Sequence, residues 1–212
     1  MASTDSTHER IIAAARAEFA QHGIAGARVD RIAKAASTSK ERVYAYFRSK
    51  EGLYEHVASA ELAAAADAVH LDPADLPSYA GQLFDYFTAH PDRHRFILWG
   101  RLERATTPGE DPTPYTGAVL RTLPTKIEKI RAAQANGDLD PVWDPIDIMA
   151  LVAQIAMTWI DQSELGAVAP RTAADPSPAA RRAAVIRAVT TLFPPATPRE
   201  RTETTPTDSS LT

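Results

Sequence analysis

A cluster of basic and phenolic side chains near the N-terminus is the part of this sequence best suited to binding chemistry. An arginine can bind guanine through two hydrogen bonds, a lysine can reach guanine or phosphate, and a tyrosine hydroxyl can hydrogen-bond a phosphate. These residue types at close spacing indicate a nucleic-acid surface. The cluster comprises Ser39, Lys40, Glu41, Arg42, Tyr44, Tyr46 and Lys50.

Charge is distributed unevenly along the 212 residues, although the formal net charge is only −4. Residues 1–50 contain nine lysines and arginines against five acidic residues, a balance of +4. The rest of the chain contains 14 basic and 22 acidic residues, a balance of −8. A small basic segment before a larger acidic one is typical of a polyanion-binding head joined to a separate body.

Sequence motifs for catalysis are missing. The chain has no cysteine, which excludes thiol nucleophiles, redox pairs, thiolate zinc fingers and iron–sulfur ligation. It also has no GxSxG elbow, Walker loop, HExxH motif or dinucleotide fingerprint. His90 and His94 are four residues apart, but Pro91 places them at a helix start and no third metal ligand is evident. We therefore expect no enzyme, no metal site and no cofactor.

Membrane insertion and export are not indicated either. No run approaches the roughly 18 apolar residues of a membrane span, and the N-terminal MASTDSTHER has no apolar signal stretch. With 44% hydrophobic and 24% charged residues, the composition is that of a globular protein. We expect a soluble chain located in the cytoplasm.

Helical periodicity dominates the sequence, and alternating β-branched runs are missing, so the expected fold class is all-α. Ser6 and Glu9 have the spacing of a capping box, which predicts a first helix over about 6–22 that runs out at Gly23.

Three further helices are predicted before residue 69. An apolar stripe from Val29 to Ala36 predicts a short second helix that is stable only if it packs on its neighbours. Ser39 is placed to cap a third short helix with Val43 and Phe47 facing inward. Ser49 is placed to cap a fourth helix that continues to about residue 68.

The segment LDPADLP, residues 71–77, predicts a linker because each proline disfavours helix at the residue before it. Beyond it, helices are predicted over about 77–89, 91–104, 114–135, 145–165 and 178–193. The last nineteen residues have too little apolar content to fold and are expected to be disordered. The expected domains are a helix-turn-helix domain at 1–50 linked by a helix at 51–68, a helical body at 69–193 and a tail at 194–212.

The short helices are arranged as in a helix-turn-helix, although any small helical bundle contains two helices and a turn. The stretch RVDRIAKAASTSKERVYAYFRSKEGLYEHV, residues 28–57, favours the first interpretation. Over about residues 8–60 the chain resembles the DNA-binding domain of the TetR family of transcriptional regulators. The matching residues are Ile32 and Ala33, Ala35 and Ala36 before the turn, Ser39, then Val43, Tyr44, Tyr46 and Phe47, and finally Ser49, Lys50, Glu51 and Leu53.

Two places depart from the family pattern. A threonine pair usually begins the second helix, where this chain has Ala27 and Arg28, so a common phosphate contact is lost or replaced by an arginine contact. Gly-Val usually occupies the turn, where this chain has Ser37 and Thr38. Because glycine permits the left-handed conformation, we expect a small strain or a modified turn at Ser37.

The resemblance implies that the helix after Ser39 lies in the DNA major groove, with Arg42 as the candidate for guanine recognition. Lys50 would bring charge and a helix N-terminus to a phosphate. The alternatives are that Tyr44 covers the small core and that Arg31 and Lys34 are solvated charges. The predicted DNA-binding residues are Arg28, Ser39, Lys40, Glu41, Arg42, Tyr44, Tyr46 and Lys50.

For the body, the resemblance implies an all-helical domain that binds a small molecule in its interior and dimerises through its last two long helices. The stretch 145–165 is apolar almost all round and must be buried on all sides. We expect one side to face its own domain and the other a second subunit, the alternative being an interior helix of a monomer. The predicted interface residues are Ile148, Val152, Ile155, Val185, Val189 and Leu192.

Aromatic and methionine residues of the middle helices are the candidates for a ligand pocket, because pockets are mostly apolar with a few polar groups. An ordinary hydrophobic core has the same composition, and for any single residue that is the competing interpretation. The predicted ligand-binding residues are Phe84, Phe87, Phe96, Trp99, Tyr115, Met149 and Trp159.

These features predict a homodimeric, ligand-responsive transcriptional regulator. The expected mode of action is that of a repressor that leaves a pseudo-palindromic double-stranded DNA operator when a small-molecule effector binds the body. The alternative is a helical adaptor that binds another protein without DNA specificity, with the basic head serving only as a solvated surface.

Overall fold

In the computed structural model, residues 2–102, 114–161 and 163–194 are described, and within these ranges the chain forms ten α-helices, one 3₁₀ turn at Pro73–Asp75 and no strand. The all-α prediction is confirmed. The helices are α1 (Ala2–Gly26), α2 (Val29–Ala35), α3 (Lys40–Phe47), α4 (Lys50–Ala68), α5 (Leu76–Ala89), α6 (Pro91–Leu102), α7 (Pro114–Asn136), α8 (Pro145–Asp161), α9 (Ser163–Thr172) and α10 (Pro178–Leu192).

Helix α1 begins earlier than the sequence pattern predicted. Its first residue is Ala2, so Ser6 lies inside the helix and the predicted N-cap at Ser6 is wrong. The predicted end is confirmed, because Gly23 has φ 68° and ψ 179° and interrupts the regular helix. Glycine adopts this positive φ without the steric penalty of a side chain.

Helices α1 to α3 form a small unit, called the head here, around one buried core. Ile11, Phe19, Ile32, Val43 and Phe47 are at most 3% exposed. The 3.6-residue period of α1 and the short stripe of α2 point their apolar residues to the same centre. Burial against α1 and α4 stabilises α2 and α3, which are too short to persist alone.

Serine caps fix the beginnings of α3 and α4, as predicted. Ser39 Oγ accepts a 3.2 Å hydrogen bond from the backbone N–H of Arg42, and Ser49 Oγ accepts one of 2.9 Å from Gly52. The turn before α3 has Ser37 at φ 52°, the left-handed conformation expected at that position. A Cβ on Gly52 would lie 2.5 Å from the carbonyl oxygen of Phe47, so α4 can approach α3 only with glycine there.

Helices α5 to α10 form the larger unit, called the body here. Helix α5 packs against both α8 and α10, and α7 packs against α4 and α8. Both described parts of the predicted helix over 145–165 are helical: α8 ends at Asp161, α9 begins at Ser163, and Gln162 between them lies outside the described residues. The predicted tail lies outside the described residues apart from Pro194. Within the described ranges, no helix has the length and apolar character needed to cross a membrane.

Candidate functional site

The outer face of α3 presents polar and charged side chains. Lys40, Glu41 and Arg42 are exposed, and Tyr44 is 38% exposed. Val43 and Phe47 face inward and are nearly completely buried, so the helix is held by one side and free on the other. More than a third of Tyr44 is therefore available to a ligand, while the rest of it is covered by the chain.

Lys40 and Arg42 differ in how their charges are balanced within the chain. Lys40 Nζ lies 3.1 Å from Asp30 Oδ2 on α2, and this hydrogen bond raises the pKa of Lys40. Among the described residues, Arg42 has no ion-pair partner. A guanidinium that is exposed and unpaired can form two hydrogen bonds to guanine without first breaking a contact in the chain.

Tyr46 and Lys50 lie at the edge of this surface. Tyr46 is half-buried, with its ring 5.7 Å from that of His8 and 6.0 Å from that of Phe47. Lys50 is the first residue of α4, and its Nζ donates to the carbonyl oxygen of Ala25 at 3.3 Å, which places its charge beside the end of α1. Tyr46 thus packs on the core of the head and also lies at the edge of the outer face of α3.

Arg28 precedes α2 with its side chain exposed, and its backbone N–H donates to Glu18 Oε1 at 2.9 Å. Arg31 Nε donates to the same oxygen at 2.7 Å. Burial opposes ionisation of Glu18, but these two hydrogen bonds prevail and lower its pKa. Arg31 therefore links α2 to α1 and is not a solvated charge.

A buried carboxylate joins three helices between head and body. Glu61 of α4 is 7% exposed, and its oxygens lie 3.0 Å from Arg16 Nη1 of α1 and 3.2 Å from Arg93 Nε of α6. Arg16 Nε lies 3.5 Å from Asp92 Oδ2 of α6. This network was not predictable from the sequence, because its members are far apart along the chain and follow no motif.

Phe96 and Trp99 of α6, both predicted to bind ligand, lie against the head. The Phe96 ring stacks on Tyr54 at 4.7 Å and meets Phe19 edge-on at 6.4 Å. Trp99 Nε1 donates to the carbonyl oxygen of Ala20 at 3.2 Å. The structure does not bring these two residues to a pocket, because this face of α6 packs on α1 and α4.

The body contains a cavity of about 320 Å³ that is lined by α5, α8, α9, α10 and the first residue of α6. Phe84, Phe87 and Trp159 line it, so the structure brings together three of the predicted ligand-binding residues. Met149 packs against the core elsewhere. The side chain of Tyr115 lies outside the described residues.

Four of the six predicted interface residues are buried inside their own chain and present no surface to a partner. Ile148, Val152, Val185 and Val189 are 0–3% exposed, because α8 and α10 pack on α5 and on each other. Ile155 and Leu192 are half-buried. The side of α8 and α10 that remains for a partner carries the exposed residues Ile146, Ala150, Gln154, Ala188 and Thr191.

Two family models match the chain, one for each unit. Residues 11–57 match the model described as "Bacterial regulatory proteins, tetR family". Residues 75–190 match the model described as "Tetracyclin repressor-like, C-terminal domain". The first match contains the whole α3 surface, and the second contains the residues of the cavity.

Individual relatives agree with the family models. The chain is 34% identical over 152 residues to the HTH-type transcriptional repressor SCO4008 of Streptomyces coelicolor. These residues cover 72% of this chain and 77% of the relative. The crystal structure of SCO4942 from the same species is 58% identical, with a TM-score of 0.78 over 89% of this chain and 99% of that one. The structure of TylP from Streptomyces fradiae is 22% identical with a TM-score of 0.60, over 92% of this chain and 89% of that one, and shares the fold.

Proposed function

The chain belongs to the TetR family of bacterial regulatory proteins and is a DNA-binding transcriptional regulator, and from this premise we propose how it acts. It is a homodimeric repressor. Each head places α3 in the major groove of one operator half-site, and a small molecule bound in the body releases the protein from the operator.

The observation that carries this proposal is the side chain of Arg42, which is exposed, has no ion-pair partner among the described residues and lies on a helix whose opposite face is buried. The cap at Ser39 and the buried Val43 and Phe47 hold α3 in place. A rigid helix with a free guanidinium in its first turn fits base recognition, since residues at this end of a recognition helix reach base edges. Tyr44 and Lys50 supply the phosphate contacts that position the helix.

Two heads are required for two half-sites, and the exposed sides of α8 and α10 support a dimer between bodies. Ala150 and Gln154 of α8 and Ala188 and Thr191 of α10 are exposed and small or uncharged. Small side chains allow two helix pairs to approach closely in a four-helix contact. The dimer must hold its heads about one DNA turn apart, roughly 34–36 Å, or a multiple of it.

Helix α6 connects the cavity to the head. Its first residue, Pro91, lines the cavity, while Trp99 near its other end bonds to Ala20 of α1. A ligand that displaces the first turn of α6 would therefore shift α1 and change the separation of the two heads. Repression and release then correspond to two positions of one helix.

The proposal is tested by binding to DNA from the promoter of the gene itself and of its immediate neighbours. A gel shift that persists at moderate salt against excess random DNA is the expected result, with sedimentation showing a dimer at micromolar protein. A protein that shifts none of these fragments would instead fit the adaptor function, and a monomer would contradict the proposed assembly.

A further inference from the structure

We propose that the cavity of the body binds a mostly apolar molecule that carries one anionic group, with the guanidinium of Arg181 holding the anion. This inference rests on the proposed function, because it assigns a chemical class to the effector of that function.

The wall of the cavity is largely apolar. Phe84 and Phe87 of α5 face Trp159 and Ile160 of α8 across a volume of about 320 Å³. This volume lies at the lower end of the range for small-molecule pockets, and such pockets are lined mainly by aromatic and aliphatic side chains. The bulk of a fitting ligand must therefore be apolar and compact.

Arg181 is the one charged residue on the described wall of this cavity. Its guanidinium carbon lies 4.4 Å from the centroid of the Trp159 ring, which holds the planar group flat against an aromatic face. Its Nε is buried and has no hydrogen-bond partner within the described ranges. A ligand therefore reaches the guanidinium through the part of the half-buried Arg181 side chain that stays exposed, and not through Nε.

Arg181 also forms no ion pair within the described part of the chain. The next residue, Arg182, pairs with Asp85 at 2.7 Å, whereas no described carboxylate lies within ion-pairing distance of Arg181. Arg181 donates instead to the backbone carbonyl of Asp175. Hydrogen bonds from Ser177, one of them 2.9 Å from its N–H, and to a lesser extent the charge of Arg181 lower the pKa of the Asp175 carboxylate, so this carboxylate partly compensates the guanidinium from beyond ion-pairing distance.

The local electrostatics favour an anion over a neutral or cationic group. Helix α10 begins at the cavity, where Pro178 is on the wall and Ser177 is the N-cap, so the positive end of the helix dipole lies beside Arg181. A cation would be repelled by the guanidinium. A neutral ligand would leave the charge of Arg181 without a direct ion pair among the described residues, whereas an anionic ligand can form one.

The test uses calorimetric titration of the full chain with matched acids and amides: 2-naphthoate with 2-naphthamide, and octanoate with octanamide. The members of each pair differ in charge and hardly in shape. We expect at least one acid to bind at least about tenfold more tightly than its amide. Arg181→Met should remove this preference, and Arg181→Lys should retain part of it. The matched control is Arg187→Met, an exposed arginine of the same helix.

Equal binding of acid and amide, or an acid affinity that Arg181→Met leaves unchanged, would overturn the proposal. So would failure of both acids to bind below about 1 mM. Arg181→Met without ligand should bind operator DNA as the wild type does, and circular dichroism should show the same helical content. If the wild type did not bind its operator, the proposed function would be contradicted, whereas the comparison of acids with amides would still test the anion site independently.

Discussion

The indole N–H of Trp99 donates a 3.2 Å hydrogen bond to the carbonyl oxygen of Ala20, which ties α6 of the body to α1 of the head. Phe96 lies one helical turn earlier on α6, and its ring stacks on Tyr54 of α4 in the same junction. A change in the position of α6 therefore reaches the helix that supports α3.

Trp99→Phe should remove the hydrogen bond to Ala20 together with part of the packing of the indole. We expect a loss of at least about 1 kcal/mol in the free energy of unfolding, measured by urea denaturation, together with a changed operator Kd, measured by fluorescence anisotropy. Trp143→Phe is the matched control, because Trp143 packs on Phe193 inside the body. If both variants alter operator affinity to the same extent, the contact between α6 and α1 does not transmit effector binding from the body to the head.

Arg42→Ala should relax base preference at one position of each half-site. The expected cost on the specific operator is about 1–3 kcal/mol, because a bidentate contact to guanine is lost. Competition assays with operators that vary at single positions would show it. Arg131→Ala on α7, where Arg131 pairs with Glu128 at 2.6 Å on the surface, should leave the preference unchanged. Equal losses on operator and random DNA would exclude base recognition by Arg42.

Lys50→Ala should weaken binding to every DNA sequence alike. A phosphate contact releases counterions without reading bases, so the slope of log K against log salt should fall by about 0.9 for each lost contact. Affinities at several salt concentrations on operator and random fragments provide the measurement. An unchanged slope would mean that Lys50 serves only its hydrogen bond to Ala25.

Ala188→Glu should separate the dimer while leaving each chain folded. Ala188 is exposed on α10, so a carboxylate there costs little in the monomer but is repelled by its symmetry mate in the proposed interface. Sedimentation should show a monomer with unchanged helical content and weak operator binding. Val189→Glu is the contrasting variant, because Val189 is 0% exposed and a buried charge there should unfold the body. An Ala188→Glu dimer with normal DNA binding would place the interface elsewhere.

Stability should fall as the pH drops below about 6.5, because of His94. Burial lowers the pKa of this histidine from 6.5, although Asp161 at 3.0 Å opposes the effect and Arg101 reinforces it. The unfolded chain then binds the proton more readily than the folded one, so protonation favours unfolding. Thermal denaturation between about pH 7.5 and pH 5 should show the loss. His94→Gln should reduce this dependence and His70→Gln, at an exposed position, should retain it.

Local features were predictable from the sequence because local chemistry decides them. Ser39 and Ser49 satisfy backbone N–H groups of the helices that they begin, and Gly23 and Ser37 mark backbone conformations that interrupt helices. Such signals lie within a few residues of the structure that they determine.

Long-range packing was not predictable in the same way. Phe84 and Phe96 have the same apolar character, yet one lines the cavity and the other meets the head. The apolar surface of α8 suggested a partner subunit, but Ile148 and Val152 face α5 and α10 of their own chain. Periodicity identifies which residues are buried and does not identify the element that buries them.

The sharing of Glu61 between Arg16 and Arg93 also limits how the two units can move. A partial displacement of α6 would pull Arg93 away and leave the buried Glu61 carboxylate with one arginine instead of two. That arrangement has a higher free energy than one in which both ion pairs form or one in which Glu61 gains new partners. Intermediate positions are therefore sparsely populated. The response to increasing effector should be a change in the fraction of molecules in each of two states, and not a gradual bending of every molecule.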